Sequence, residues 1–144
     1  MDNSAYEAYD ELGRLRKRKR HNGTDSEEFD YNIRNWTTRI KSGDFEQKLY
    51  YTTSPYNNAN FNGNISDYEW TYNGALNYYW FHYDNLNRLE VATNKDLDAG
   101  TDKGEMFAYD KMGNIILTRY RDSENPDDLE FFYNGNQVRK INRL

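Results

Sequence analysis

A short motif recurs along the chain and constrains its fold more than any other feature. Each copy has a tyrosine and an aspartate, two variable residues, a glycine or asparagine, a polar residue and an aliphatic one. The clearest copies are Tyr9-Asp10-x-x-Gly13-Arg14-Leu15, Tyr83-Asp84-x-x-Asn87-Arg88-Leu89 and Tyr109-Asp110-x-x-Gly113-Asn114-Ile115. Self-similarity of this kind is typical of repeat proteins, in which each unit is one supersecondary element.

Further segments match the motif more loosely. Tyr31-Asn32-x-x-Asn35-Trp36 keeps the spacing, whereas Phe61-Asn62-Gly63-Asn64-Ile65 and Tyr133-Asn134-Gly135-Asn136-Gln137-Val138 omit residues between the aromatic residue and the glycine. The units start at positions 9, 31, 61, 83, 109 and 133. We therefore predict that residues 1–144 are a single repeat segment with a period of roughly 25 residues.

Each unit has the chemistry of a corner between two strands. The Asp or Asn side chain can bond the backbone two residues on, and the following Gly or Asn supplies a positive φ. The repeat-defining residues are Tyr9, Asp10, Gly13, Tyr31, Trp36, Tyr83, Asp84, Tyr109, Asp110, Gly113, Tyr133 and Gly135. We expect Tyr9, Tyr83 and Tyr109 to occupy equivalent buried positions, each packed on a neighbouring unit.

The pattern between the corners is that of β-strands. Tyr68, Trp70 and Tyr72 alternate with other residues, and no long stretch keeps the helical period. Aromatic residues make up 17% of the chain, which is enough for a core although 30% of the residues are charged. The sequence predicts an all-β fold of antiparallel hairpin repeats with about ten to twelve short strands.

Catalytic and metal-binding patterns are missing from the sequence. There is no Cys, and the two His are far apart. Asp96–Asp102 has some likeness to a calcium loop but lacks its spaced closing Glu, and Asp127-Asp128 is more typical of a solvated loop. We therefore predict no catalytic, metal or cofactor-binding residue, and a protein that is not an enzyme.

The run from Arg14 to Arg20 is the strongest charge feature, and two interpretations compete. It could bind nucleic acid, or it could be an exposed edge strand that positive charge protects from pairing. The net charge of −5 disfavours nucleic acid. A hairpin at Asn22-Gly23 would set the run opposite the acidic Asp25–Glu28. We favour the edge strand and predict no nucleic-acid partner.

No apolar run approaches the roughly 20 residues that span a bilayer, so no membrane span is expected. Met1 to Asp10 is polar and acidic and does not resemble a signal peptide. An exported protein would need its signal on a longer parent chain, and the chain would be cytoplasmic if Met1 is its true start.

The Tyr-Asp-x-x-Gly unit resembles the YD repeat of the RHS family, which includes bacterial polymorphic toxins, Tc toxin shell subunits and teneurins. The series Tyr31–Trp36, Lys48–Tyr51 and Phe61–Ser66 is similar to the Bacteroidetes branch, with Asn35 in place of its usual Gly and Phe61 in place of Tyr. The resemblance extends from about Tyr9 to Ile141.

The resemblance implies a fragment of a larger repeat array, coiled into a secreted or cell-surface shell. Its partners would be neighbouring repeats of the parent chain and an enclosed toxin or other C-terminal cargo. No position matches the family's aspartate-based self-cleavage core, so no catalytic residue is carried over.

Two further expectations follow from the residues. A fragment with open sheet edges should either form homo-oligomers at high concentration through the C-terminal strand Gln137–Ile141, or be only marginally stable alone. The alternative function is a cell-surface glycan- or protein-binding module whose exposed rings stack on sugars. Its candidate residues are Tyr50, Tyr51, Tyr56, Tyr78, Tyr79 and Trp80.

Overall fold

The computed structural model describes residues 7–20, 25–54, 59–95, 102–121 and 127–144. These residues form strands and no helix. The strands are β1 (Glu7–Tyr9), β2 (Leu15–Arg20), β3 (Asp25–Tyr31), β4 (Thr37–Ser42), β5 (Phe45–Tyr50), β6 (Asp67–Tyr72), β7 (Ala75–Tyr83), β8 (Leu89–Lys95), β9 (Asp102–Tyr109), β10 (Ile115–Arg121), β11 (Asp127–Asn134) and β12 (Gln137–Arg143). The all-β prediction is confirmed.

All twelve strands belong to one open antiparallel sheet, in which each strand pairs with the next along the chain. The motif corners join each odd-numbered strand to the following even-numbered strand, so they lie at one end of the sheet. β1 and β12 are its two edges. This meander brings sequence neighbours together throughout.

The two ends of the sheet differ in register. Five of the described pairs that meet at motif corners, β1/β2, β3/β4, β7/β8, β9/β10 and β11/β12, contain a β-bulge or irregularity next to the corner. The hairpins β4/β5 and β6/β7, which turn at the opposite end, are regular. A bulge bends its strand and increases the local twist, so the corner end is the one where the sheet bends.

One face of the sheet, here called the aromatic face, collects large apolar side chains. Its members are Phe29, Ile40, Phe45, Leu49, Tyr68, Trp70, Tyr79, Phe81, Phe107, Leu129 and Phe131. Tyr68, Trp70, Tyr79 and Phe81 form a stacked row with successive centroid distances of 5.0, 5.7 and 6.2 Å. Such offset stacking adds to the stabilisation from area burial alone.

The opposite face carries ion pairs across neighbouring strands. Arg39 bonds Asp30 at 3.1 Å and also Glu46, while Arg119 bonds Asp128 at 2.7 Å. These side chains are partly exposed, and such pairs individually contribute up to about 1 kcal/mol. Their main effect is on register, because each ion pair forms only when the basic side chain on one strand lies across from the acidic side chain on the next.

The edge-strand interpretation of the basic run was wrong. β2 lies between β1 and β3, and Lys17 bonds Glu28 at 3.0 Å while Arg18 bonds Glu27. The expected pairing of basic and acidic blocks is therefore confirmed, although Asn22-Gly23 lies outside the described residues. The positive charges occupy an interior strand because the acidic strand beside them compensates the charge.

The sheet is a single layer across the described residues, and few of them are fully buried. Those that are buried are Tyr51, Ser66, Asp67, Tyr78 and Ala92. Stability must therefore come mainly from cross-strand neighbours and from contacts between successive hairpins. Across the described ranges, no helix has the length and apolar character needed to cross a lipid bilayer.

Candidate functional site

The corner at Asp84 shows how the motif folds. Oδ1 of Asp84 accepts the backbone N–H of Leu86 at 2.8 Å and that of Arg88 at 2.9 Å. Oδ2 accepts the side-chain Nε of Arg88 at 2.6 Å. The N–H of Asn87 donates to the Asp84 carbonyl at 2.9 Å, and Asn87 has a φ of 63°. One carboxylate thus holds the whole turn.

The same bonds recur at other corners. Asp10 accepts the backbone N–H of Arg14 at 2.9 Å, and Asp110 accepts that of Asn114 at 2.9 Å. Asn32 accepts the backbone N–H of Trp36 at 3.0 Å. The glycines and asparagines expected to take a positive φ do so, namely Gly13, Asn35, Asn87, Gly113 and Gly135. The predicted turn chemistry is confirmed at these corners.

These hydrogen bonds lower the pKa of the corner carboxyls. For Asp10 the largest contribution comes from the backbone N–H of Arg14. For Asp84, partial desolvation acts in the opposite direction, but the backbone and side-chain bonds from Arg88 outweigh it and lower the pKa. For Asp110 the Asn114 side-chain amide contributes most to the lowered pKa. The carboxyls therefore remain charged acceptors at neutral pH.

A tyrosine hydroxyl joins each of five corners to the corner before it. The hydroxyls of Tyr31, Tyr51, Tyr83, Tyr109 and Tyr133 donate to the carbonyls of Leu15, Thr37, Ile65, Leu89 and Ile115 at 2.9, 2.9, 2.9, 2.6 and 2.8 Å. We call this series the corner ladder. Burial raises the pKa of Tyr51 and Tyr83, so both phenols remain protonated donors at neutral pH.

Arginines add a second link between successive corners. Nη1 of Arg14 donates to the carbonyl of Asn32 at 2.9 Å, and the guanidinium lies 5.0 Å from the Tyr31 ring centroid. Arg88 makes the same pair of contacts, to the Asp110 carbonyl at 3.2 Å and to the Tyr109 ring at 4.5 Å. Each such arginine therefore serves its own turn and the next one.

The third corner contains a ladder residue that sequence reasoning missed. This corner is long, running from 51 to 66, and its ladder tyrosine is Tyr51, whereas Phe61 is exposed. The Tyr51 ring lies 5.0 Å from that of Trp36, and Arg34 donates to the Phe61 carbonyl at 2.6 Å. The available signal was Leu49-Tyr50-Tyr51, a tyrosine at a strand end, which the long insertion obscured.

The expectation that Tyr9, Tyr83 and Tyr109 occupy equivalent buried positions was wrong for Tyr9. Tyr83 and Tyr109 are half-buried and belong to the corner ladder, but Tyr9 is 58% exposed. Its hydroxyl donates instead to Glu7 on its own strand at 2.6 Å. The reason is topological, because β1 is an edge strand with no described strand on its outer side.

The last corner is a shortened version of the others. Asn134 pairs with Gln137 in a two-residue hairpin, with Gly135 at a φ of 60°. Tyr133 still makes its ladder bond to Ile115. A corner without the turn held by an Asp or Asn side chain therefore still makes the ladder bond to the preceding unit.

Large apolar side chains lie at the corner tips and are mostly exposed. They are Leu12, Ile33, Phe61, Leu86 and Met112, each at least 67% exposed. Single exposed apolar residues are common, but a row at repeated positions marks a surface suited to contact with another molecule or segment.

One buried polar pair lies beside the third corner. Ser66 and Asp67 have no exposed surface, and the Tyr78 hydroxyl donates to Oδ1 of Asp67 at 2.9 Å. Oδ2 of Asp67 and Oγ of Ser66 lack hydrogen-bond partners among the described residues. Buried polar atoms without partners are rare, and an ordered water commonly satisfies them.

The remaining candidate groups are dispersed. Asp127 pairs with Arg143 at 2.8 Å, and His82 lies 3.3 Å from Glu90 on the surface. Among the described residues no cluster of His, Asp and Glu could hold a metal ion. His21 and most of the calcium-like segment, 96–101, lie outside the described residues.

The predicted sugar-stacking residues do not share one exposed surface. Tyr51 and Tyr78 are buried, Tyr50 and Trp80 are half-buried, and Tyr79 lies within the stacked row. Tyr56 lies outside the described residues. Tyr72, at the end of β6 on the aromatic face, is 59% exposed.

No protein-family model matches the chain, and a search of curated proteins finds no match.

Proposed function

We propose that the chain is a structural wall segment, a run of β-hairpin repeats of the RHS type that forms part of a shell around a toxin or other cargo domain. The corner ladder carries this proposal. Five tyrosine–carbonyl bonds with the same geometry join successive hairpins, so the repeated side chains serve to extend the sheet. The shell would belong to a longer secreted or cell-surface protein.

Two apolar surfaces, one half-buried and one exposed, support the proposal. The aromatic face has no second described layer over it, and the corner tips leave Leu12, Leu86 and Met112 in water. Contiguous apolar surface of this kind usually marks a contact region. A shell wall would cover both surfaces, one with enclosed material and the other with adjoining parts of the wall.

Electron cryomicroscopy of the whole natural gene product tests this function. We expect a hollow particle in which this sheet forms part of the wall and the corner tips contact other protein. A particle without an internal cavity, or one in which the sheet lies away from the cavity wall, would contradict the proposal.

The second candidate function is glycan binding on the aromatic face, which the exposed Tyr72 favours because a free ring can stack on a sugar. A glycan array with wild-type chain, Tyr72→Ala and Tyr9→Ala tests it. Tyr9 is a matched control because it is exposed to a similar degree, at 58% against 59%. Selective binding that only Tyr72→Ala abolishes would favour the glycan function over the structural one.

A further inference from the structure

The corner ladder ends differently at the two edges of the sheet. At the β1 edge, Tyr9 has the donor hydroxyl of a ladder tyrosine, but within the described part of the chain that hydroxyl bonds Glu7 on its own strand. At the β12 edge, Val138 lies opposite Tyr133, as Leu89 lies opposite Tyr83. Leu89 accepts a ladder bond from the next unit, whereas beyond Val138 no described strand follows. One edge thus carries a donor and the other an acceptor position.

A single register rule describes every rung of the ladder. When the strand register is extended to the tyrosine, the tyrosine lies opposite the residue that comes just before its acceptor. Lys17 pairs with Glu28, and extending that register sets Tyr31 opposite Arg14, the residue before its acceptor Leu15. The other four rungs obey the same rule when their strand registers are extended to the tyrosine. The rule therefore predicts the register of any further strand added to the sheet.

We propose that the β12 edge binds the β1 edge of a second copy of this chain and that the corner ladder continues across the junction. Tyr9 of the second copy donates its hydroxyl to the Val138 carbonyl. By the register rule it lies opposite Gln137, which sets Ala8 opposite Val138 and Glu7 opposite Arg139.

Charge complementarity supports this pairing. Glu7 and Arg139 are both exposed, and the rule sets these opposite charges directly across from each other. Opposite charges at such positions stabilise a strand pair, and like charges destabilise it. Pairing β12 with a second β12 would bring Arg139, Lys140 and Arg143 of both copies together, so the heterologous junction is favoured.

The junction is head-to-tail, because each copy uses one edge to donate and the other to accept. Such a contact continues into a chain of copies unless its rotation closes a ring. It depends only on the ladder and the two edges, so it stands independently of an enclosed cargo.

Sedimentation velocity over a concentration series tests the junction with charge-swap variants of the full chain. We expect wild type to associate as concentration rises, and Glu7→Arg and Arg139→Glu each to weaken association about fivefold or more. The double variant E7R/R139E should restore it, because the opposite charges again face each other. Tyr9→Phe, which removes the rung hydroxyl, should also weaken association.

Lys111→Glu is the matched control, since it makes the same charge change as Arg139→Glu at an exposed corner away from both edges. It should leave association unchanged. A wild-type chain that stays monomeric up to its solubility limit overturns the junction. So does association that the single variants weaken but the double variant fails to restore. Circular dichroism of each variant shows whether the sheet is retained.

Discussion

At the scale of single residues, a corner depends on one acceptor oxygen and one phenol. The side-chain amide oxygen of Asn32 accepts the same backbone hydrogen bonds that the carboxylates of Asp10 and Asp84 accept, so negative charge is not needed for the turn. The oxygen that accepts two backbone N–H groups is the common element. The charge adds only the bond to the side chain four residues on.

This distinction predicts the order of two substitutions at Asp84. Asp84→Asn should keep the two backbone bonds, as Asn32 does, and lose only the pairing with Arg88. Asp84→Ala removes all three bonds and leaves turn N–H groups without their acceptor. Urea denaturation should therefore rank stability as wild type, then Asp84→Asn, then Asp84→Ala. Equal loss in the two variants would mean that the ion pair, and not the turn oxygen, holds the corner.

The ladder phenols predict a loss of stability at high pH. Burial raises the pKa of Tyr51, Tyr83 and Tyr109 above the ordinary 10.0. A raised folded-state pKa gives stability that is complete below pH 10 and is lost as pH rises through the folded value. The urea midpoint should therefore fall as the pH rises above about 10.

A triple variant with Phe at these positions should start less stable but show a shallower decline with pH. Tyr72→Phe is the control, because its ring is exposed and makes no ladder bond. If the triple variant and wild type decline in parallel, the ladder phenols are not the groups that titrate.

The role of a residue could be predicted from the sequence where the residue acts on groups within its own turn. The Asp10 carboxylate and Gly13 act within one turn, so their roles follow from the motif alone. The acceptor of a ladder hydroxyl lies about 20 residues away and depends on strand register, so Leu89 could not be inferred as the partner of Tyr109. The exposure of Tyr9 was missed because all copies of a motif look alike before the edges of the sheet are known.

At the scale of strands and corners, alternation predicted the strands well because β-structure imposes a two-residue period. Two features were not predicted from the sequence. The long third corner separated Tyr51 from the rest of its unit, and the basic β2 was assigned to an edge although the acidic β3 pairs with it. Both features depend on which segments pair in the sheet, and the sequence of one segment does not identify its partner.

The third corner makes a prediction about Gly63. It has a φ of 99°, and a Cβ there would lie 3.3 Å from the Trp36 ring. Gly63→Ala should cost the roughly 1–2 kcal/mol of a strained backbone and also displace Trp36 from its packing. Gly74→Ala is the matched control, with a φ of 81° and open space around its Cβ.

Denaturant unfolding and tryptophan fluorescence distinguish the two contributions. Gly63→Ala should lose more stability than Gly74→Ala and should change the native fluorescence, whereas the control should not change it. Equal losses with unchanged fluorescence would show that Trp36 does not depend on the close approach of Gly63.

At the scale of the whole molecule, the chain is a linear series of hairpins in one layer. Each hairpin contacts only its neighbours, so stability should be a sum of local and nearest-neighbour contributions. The absence of a second described layer explains why aromatic rings that looked like core residues are only half-buried. The hairpin repeats were predictable from the motif, whereas what covers the faces of the sheet depends on surfaces outside the described residues.

If the corner ladder couples neighbouring hairpins in series, loss of one rung should loosen only the strands beside it. Amide hydrogen exchange on Tyr109→Phe measures this, because the substitution removes one rung hydroxyl worth about 1 kcal/mol and keeps the ring. Exchange should quicken in β8 to β10 and stay unchanged in β2 to β5. Uniform quickening across all strands, or no change in β8 to β10, would contradict the coupling of hairpins through the ladder.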